Sequence, residues 1–171
     1  MFDNIISEYL NKGKENEALF GKCLLESEGG TLYPISETDD MEKHIDIKWK
    51  GDNYHRICTF DVKGARKNKR SDKMSTYNNT WLEFQNVNGK LGSLYGEQDY
   101  FAFELEQAWA IVRREEILKN TLNNIKDNTI YTVNPNKDFL YYQRNGRKDK
   151  IVRVPMSFIV ENARKIIPKI T

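Results

Sequence analysis

Two segments of the chain alternate apolar with polar or charged side chains, which predicts half-buried β-strands over 44–50 and 56–63. Successive side chains of a strand point to opposite faces. Asp46 therefore lies on the polar face of the first strand, and Asp61 and Lys63 lie together on the polar face of the second. Each of the two strands turns a carboxylate away from its apolar side.

A third strand is predicted over 81–86, where apolar positions alternate with Glu83 and Gln85. Strands that follow each other in sequence are usually neighbours in a sheet. If this strand pairs with the strand that carries Asp61, Glu83 becomes a third carboxylate on the same polar face. Gln85 would then be a polar neighbour of Lys63 or of a bound metal.

The remaining pattern predicts an α/β fold with a mixed central sheet flanked by helices. One helix, or two helices broken near Gly13, precedes the sheet and ends at Gly29. Asn145 and Gly146 are a strong hairpin signal, and Pro155 is predicted to open a C-terminal helix. Other predicted elements are strands near 32–35, 98–104 and 108–113, a helix over 115–125, and Ile166 and Ile167 on the apolar side of the last helix.

Length and composition fit a single domain spanning 1–171. The chain is 39% hydrophobic and 30% charged, and its length is sufficient to bury a core. No apolar run approaches the ~20 residues that cross a bilayer, and the start lacks the features of a secretory signal. We therefore expect a cytoplasmic protein without membrane contact. Cys23 and Cys58 have apolar neighbours and no metal spacing, which favours buried free thiols over a disulfide.

Carboxylates that converge on one face of a sheet repel each other unless a cation lies between them. Mg²⁺ prefers oxygen ligands and typically binds one or two protein carboxylates together with substrate phosphate. Asp46 and Asp61, with Glu83 as a third candidate, are therefore predicted to bind Mg²⁺, and Mn²⁺ is expected to substitute. Lys63 would orient an attacking water or stabilise developing charge. The alternative is a pair of ordinary solvated strands, because half-exposed sheets alternate charges for solubility alone.

The order of these residues resembles the PD-(D/E)xK nuclease superfamily. Asp46 matches the first acid of its motif, and the triplet that begins at Asp61 and ends at Lys63 matches the acid-x-Lys element. The segments 86–96 and 99–103 look like the phage and mobile-element branch, and the resemblance covers about residues 13–160. It implies a restriction-endonuclease-like fold and a Mg²⁺-dependent endonuclease, similar to restriction enzymes and to Holliday-junction resolvases in DNA recombination.

The chain departs from the superfamily pattern at two positions. Ile45 stands where many members carry proline, and Asp61 replaces the more frequent glutamate, which keeps the charge and shortens the side chain. Resolvase-like members also carry a glutamate in the helix before the sheet, which implies a catalytic role for Glu17. Glu15 is the second candidate, and a solvated helical glutamate is the alternative for either.

Basic residues cluster after the strand that carries Asp61 and again at the predicted hairpin. Phosphate contacts from such groups give DNA affinity that is independent of base sequence. The first cluster begins next to Lys63, which favours DNA binding over a solvated loop, whereas for the hairpin the two interpretations remain balanced. The predicted DNA-binding residues are Arg66, Lys67, Lys69, Arg70 and Lys73 in the first cluster, and Arg144, Arg147 and Lys148 in the second.

Together these features predict a Mg²⁺-dependent DNA endonuclease that hydrolyses phosphodiester bonds, and the resolvase resemblance implies branched DNA as its substrate. A restriction-like duplex endonuclease is the nearest alternative. The alternative from another class is a non-catalytic module that binds nucleic acid or protein on the same fold. Because two symmetric sites cut two strands most simply, we expect a homodimer.

Overall fold

The structure is a computed structural model that describes the backbone of residues 2–66 and 72–170 and the side chains of 12–66 and 72–170. These residues form an α/β fold, as predicted. The described helices are α1 (Phe2–Glu28), α2 (Glu37–Lys43), α3 (Arg114–Asn124) and α4 (Met156–Glu161). The described strands are β1 (Thr31–Tyr33), β2 (Ile47–Lys50), β3 (Cys58–Lys63), β4 (Asn79–Gln85), β5 (Tyr100–Glu104), β6 (Ala108–Arg113), β7 (Ile130–Tyr131), β8 (Tyr141–Tyr142), β9 (Lys150–Pro155) and β10 (Ala163–Pro168).

The long helix α1 opens the fold and runs without interruption through Gly13. The alternative of two helices broken at that residue is therefore wrong. The predicted end is confirmed, because Gly29 and Gly30 directly follow the helix with φ angles of 68° and 85°. Glycine enters this left-handed region without the steric penalty of a side chain, and helices commonly stop there.

Six strands form a mixed central sheet in the order β1-β2-β3-β5-β6-β10. β3 and β5 are parallel, and every other neighbouring pair in this sheet is antiparallel. β5 carries apolar side chains on both faces, since Phe101, Ala102 and Phe103 are all buried. A strand of this kind requires cover on both sides, and this explains the central place of β5 beside β3. The strand predicted near 98–104 is confirmed as β5.

The expected pairing of β4 with β3 is wrong. β4 instead belongs to a second sheet with the order β4-β9-β8-β7. Leu82 and Phe84 bury one face of β4 while the intervening side chains are only half-buried, and such an amphipathic strand needs cover on one face alone. The predicted hairpin is confirmed in this sheet, where β8 and β9 are antiparallel and flank Asn145 and Gly146.

The short helix α2 is absent from the sequence prediction and shortens the strand that follows it. Ser36 caps the helix by accepting a hydrogen bond from the backbone N–H of Asp39, whose side chain accepts in return from the backbone of Ser36. His44 ends the helix in the left-handed conformation, with φ of 57°. The strand predicted over 44–50 consequently begins only at Ile47.

The C-terminal helix is shorter than predicted. α4 ends at Glu161, and the next residues form β10, which pairs with the edge of β6. Ile166 is exposed and Ile167 is fully buried, as expected for the alternating faces of a strand. Pairing with β6 supplies backbone hydrogen bonds that a continued helix would leave unmade at the edge of the sheet.

Two clusters of buried side chains cover the central sheet. The first joins the strands of the second sheet with Phe101, Phe103 and residues of α3 and α4. The second joins α1 with β3, β5 and β6 through Phe20, Phe60 and Trp109. The ring centroid of Phe20 lies 5.3 Å from those of both Phe60 and Trp109. Phe20 is therefore a central contact between α1 and the sheet, beside Cys23 and Leu24 of the same helix.

Both cysteines are buried and unpaired, which confirms the prediction of free thiols. Cys23 lies on α1 and Cys58 on β3, and both belong to the cluster between this helix and the sheet. Among the residues that the structure describes, none of the helices is both long and apolar enough to cross a membrane.

We predict that Phe20→Ala lowers the free energy of unfolding by about 3–5 kcal/mol, because it leaves a cavity between α1 and the sheet. The measurement is urea denaturation followed by circular dichroism. Ile166→Ala is the control, since Ile166 is 46% exposed and its truncation is expected to cost less than about 1 kcal/mol. Equal losses for the two variants would contradict this assignment of the core.

Candidate active site

Asp61 and Lys63 lie together near the end of β3. Asp61 is only 3% exposed, and its Oδ1 atom lies 2.9 Å from Nζ of Lys63. The ammonium of Lys63 also lies 6.0 Å from the ring centroid of Phe101 on the parallel strand β5. The strand period predicted this proximity, because the two residues are separated by one position and share a face.

Asp46 contacts the backbone of β3 between these two residues. Its Oδ2 atom accepts a hydrogen bond of 2.7 Å from the N–H of Val62, and its own N–H donates to the carbonyl of Phe60 at 2.8 Å. Asp46 precedes β2, which is antiparallel to β3. The structure thus brings the predicted Asp46, Asp61 and Lys63 into one site.

The Asp46 carboxylate is electrostatically strained in this position. Burial raises the pKa of Asp46 to about 8, and the negative charge of Asp61 acts in the same direction, followed by that of Glu17. The hydrogen bond from Val62 and the charge of Lys63 counteract the rise only in part. A buried and a half-buried carboxylate that share Lys63 as their cation among the described residues favour either a proton or an added cation.

Glu17 reaches the same group from α1. Its side chain is half-buried, and its pKa is raised first by burial and then by the charges of Asp40 and Asp61. Glu15 is exposed on the same helix. Glu17 lies three residues before Phe20, so the packing of that ring on the sheet brings this part of α1 to the site.

Glu83 and Gln85 lie in the second sheet, so the neighbour-strand argument that placed them beside Asp61 fails. Glu83 pairs with Ile151 of β9, and Nε2 of Gln85 donates to the backbone carbonyl of Lys148. Among the charges that shift the pKa of Asp46, those of Asp61 and Lys63 come from β3 and that of Glu17 comes from α1. Of the two candidates for a third carboxylate, Glu17 is the one that the structure couples to Asp46.

The first basic cluster is described only at its two ends. Arg66 and Lys73 are exposed, and the N–H of Thr76 donates to the carbonyl of Arg66 at 2.9 Å, which closes the base of the segment. The predicted DNA-binding residues Lys67, Lys69 and Arg70 lie outside the described residues.

At the hairpin the three predicted DNA-binding residues differ in their contacts. Nε of Arg144 lies 2.5 Å from Oδ2 of Asp149, which is fully buried. Arg144 therefore neutralises a buried acid inside the turn. Lys148 is exposed and Arg147 is half-exposed, so their side chains remain accessible to solvent.

Two residues near the site escaped sequence reasoning. Asp40 belongs to α2, and its charge contributes to the raised pKa of Glu17. Phe101 lies beneath the ammonium of Lys63. The capping box that begins at Ser36 was a readable signal for the helix that carries Asp40, whereas the position of Phe101 depends on the parallel pairing of β5 with β3.

The donor set fits a hard divalent cation with two carboxylate ligands. Oδ2 of Asp61 is buried and has no hydrogen-bond partner among the described residues. Within 12–66 and 72–170, His, Cys, Asp and Glu side chains do not assemble in threes with the proximity needed to hold a metal. Mg²⁺ does not require such a cage, because it keeps several waters and takes one or two carboxylates together with substrate phosphate.

Comparison with known proteins gives no match to a family model, to a curated protein or to a solved structure.

We predict that Asp46→Asn stabilises the metal-free protein increasingly as the pH rises. Folded Asp46 keeps its proton up to about pH 8, whereas an unfolded aspartate releases it near pH 4. The stability that the protonated Asp46 gives to the folded protein is therefore lost as the pH rises from about 4 to about 8. The gain of the variant over wild type should approach about 1.4 kcal/mol per pH unit at most. The measurement is urea denaturation in EDTA at pH 5, 7 and 9.

Glu15→Gln is the control for this prediction, because it makes the same acid-to-amide change at an exposed position of α1, and the gain of Asp46→Asn with rising pH is expected to exceed that of the control. A constant difference between Asp46→Asn and wild type at all three pH values would contradict the raised pKa of Asp46.

Proposed function

We propose that the chain is a Mg²⁺-dependent DNA endonuclease of the PD-(D/E)xK type, with Asp46 and Asp61 as metal ligands. The observation that carries the proposal is the buried Oδ2 atom of Asp61, which has no hydrogen-bond partner among the described residues, in a site that also holds Asp46. A divalent cation would supply the partner and relieve the repulsion between the two carboxylates.

Each residue of the site has a role in phosphodiester hydrolysis. When bound, Mg²⁺ lowers the pKa of a coordinated water and stabilises charge on phosphate oxygens. Lys63 carries its ammonium at the carboxylate of Asp61, where it can orient the attacking water or hold a phosphate oxygen. Glu17 has a raised pKa and can exchange a proton with water at the site.

Solvent-accessible cations in both predicted basic clusters support DNA as the polymer. Arg66 and Lys73 are the described ends of the first basic cluster, which begins three residues after Lys63. Arg147 and Lys148 lie at the hairpin. Contacts from such groups to phosphates give affinity without base recognition. We assign Arg144 to the structure of the turn, because it pairs with buried Asp149.

Branched DNA is the proposed substrate, and a homodimer is the proposed active form. The choice of branched DNA rests on the resemblance to resolvases. The homodimer is proposed because two symmetric sites are the simplest means of cutting two strands. Cleavage of linear duplex in preference to a four-way junction would support a restriction-like enzyme instead.

We predict that wild-type protein cleaves a synthetic four-way junction in Mg²⁺ or Mn²⁺ and is inactive in EDTA. Asp61→Asn should lower the rate at least about 100-fold, because it weakens the metal site. Lys63→Ala should lower it about 10²- to 10⁴-fold, as expected when a group that assists proton transfer or charge stabilisation is removed. The measurement is gel analysis of labelled junction, linear duplex and supercoiled plasmid.

Lys165→Ala is the matched control for Lys63→Ala, because Lys165 is half-exposed on β10 and should leave the rate unchanged. Cleavage by Asp61→Asn at the wild-type rate, or cleavage in EDTA, would refute the site. Tight DNA binding without cleavage in either metal would indicate a non-catalytic binding module.

We predict that Arg147→Ala and Lys148→Ala each weaken DNA binding. Each should also reduce the slope of log affinity against log salt concentration by the amount expected for the loss of about one phosphate contact. Arg144→Ala should instead lower the melting temperature, since it leaves buried Asp149 without its ion-pair partner. Fluorescence anisotropy at several salt concentrations, beside thermal melts, separates the two effects. An unchanged melting temperature for Arg144→Ala would contradict its structural assignment.

A further inference from the structure

Glu104 at the end of β5 holds the backbone that follows Lys63. Its Oε2 atom accepts a hydrogen bond of 2.7 Å from the N–H of Ala65. The parallel pairing of β3 with β5 sets this contact, because it places Lys63 opposite Phe103, the residue before Glu104. The carboxylate therefore fixes the chain between the candidate catalytic lysine and the basic cluster.

Lys169 completes the contact from the C-terminal end of the chain. Its Nζ atom donates to Oε1 of Glu104 at 2.9 Å and to the carbonyl of Glu106 at 3.3 Å. The side chains of Lys169 and Glu104 are only 16% and 12% exposed. The same ammonium lies 5.2 Å from the ring centroid of Tyr77 and 5.9 Å from that of Trp109.

These contacts hold both ends of the basic segment. Ala65 precedes the segment and Tyr77 follows it, and the bridge between Arg66 and Thr76 closes its base. Glu104 contacts the first end directly, and Lys169 contacts the ring at the second. One buried ion pair thus fixes the base of the segment relative to β3.

Gly64 shows how closely this turn approaches α1. A Cβ atom at Gly64 would lie 2.1 Å from Nδ2 of Asn16 and 3.3 Å from Oε2 of Glu104. Asn16 is the neighbour of Glu17. The turn after Lys63 is therefore confined between α1 and β5, and its position is tied to that of the candidate site.

We propose that Glu104, paired with Lys169, is a positioning residue for DNA: it places the described ends of the basic segment so that Arg66 and Lys73 meet phosphates next to Lys63. This inference rests on the proposed nuclease function. A buried ion pair as a whole contributes little net stability, because desolvation offsets its attraction, whereas removal of one partner alone is destabilising. Such a pair does fix geometry, and positioning a phosphate backbone depends on geometry.

The test compares Glu104→Gln and Lys169→Met with the control Glu106→Gln. Glu106 is exposed, and Lys169 contacts its carbonyl rather than its carboxylate. We expect Glu104→Gln and Lys169→Met each to raise KM for the junction about tenfold, with kcat within about twofold of wild type. Mg²⁺ affinity should be unchanged, and the salt dependence of DNA affinity should fall by about one phosphate contact or more. Lys169→Arg, which keeps the charge, should restore KM.

A second readout is independent of DNA. Exchange of the Ala65 amide hydrogen, measured by NMR, should be at least about tenfold faster in Glu104→Ala than in Glu106→Ala, because the hydrogen bond that protects it is lost. Thermal melts establish that each variant is folded before either readout is used. If Glu104→Gln does not fold, Lys169→Met provides the kinetic test.

The outcomes separate this inference from the proposed function. Unchanged Ala65 exchange in Glu104→Ala overturns the positioning contact even if the enzyme is active. Unchanged KM and salt dependence in folded Glu104→Gln and Lys169→Met also overturn it, and so does a loss confined to kcat and thermal stability. Faster Ala65 exchange in a protein that neither binds nor cuts DNA in Mg²⁺ or Mn²⁺ overturns the proposed function, and the DNA-positioning role with it.

Discussion

The repulsion between the buried carboxylate of Asp61 and the half-buried carboxylate of Asp46 is the constraint around which the rest of the site is arranged. Asp46 accepts a hydrogen bond from the backbone N–H of Val62, the residue that follows Asp61. Lys63 neutralises Asp61, and burial raises the pKa of Asp46. Among the described residues, Lys63 is the cation whose charge lowers the pKa of Asp46, and Glu17 is a third acid nearby. The raised pKa of Asp46 indicates that this positive charge does not balance the acids. That imbalance is what favours a divalent cation over a purely structural role.

The parallel pairing of β3 with β5 gives this constrained site its rigid support. Because β5 is buried on both faces, it forms the centre of the sheet and resists displacement. Phe101 lies beneath the ammonium of Lys63, and Glu104 holds the backbone at Ala65. The same strand therefore supports the candidate catalytic lysine and the start of the basic cluster. The proposed chemistry and the proposed substrate contact are thus linked through one element of the core.

The molecule offsets the unfavourable burial of charge with packing on both faces of the sheet. α1 covers one face through Phe20, and the second sheet covers the other together with α3 and α4. Strained polar groups persist at functional sites when the surrounding structure determines their position. Phe20 also connects packing to chemistry, because the helix that it anchors carries Glu17. A loss of core contacts at that ring would displace an acid of the site as well as weaken the fold.

The sequence by itself determined the features that depend on neighbours along the chain. The alternation of apolar and polar side chains every two residues predicted β3 and placed Asp61 and Lys63 on one face. Turn residues located the hairpin at Asn145 and Gly146. Apolar surroundings indicated that Cys23 and Cys58 are free thiols. Each of these inferences depends on residues only a few positions apart, and local periodicity and turn chemistry act at that range.

Only the tertiary structure decided which distant segments meet. β5 rather than β4 lies beside β3, because a strand that is apolar on both faces gains most from the central position. The segment after Glu161 became β10 rather than more helix, since β6 offered an edge for pairing. The choice of Glu17 over Glu83 as the acid coupled to Asp46 followed from those placements. The physical reason is the same in each case: an apolar or charged pattern specifies a face, and the partner of that face depends on competition across the whole chain.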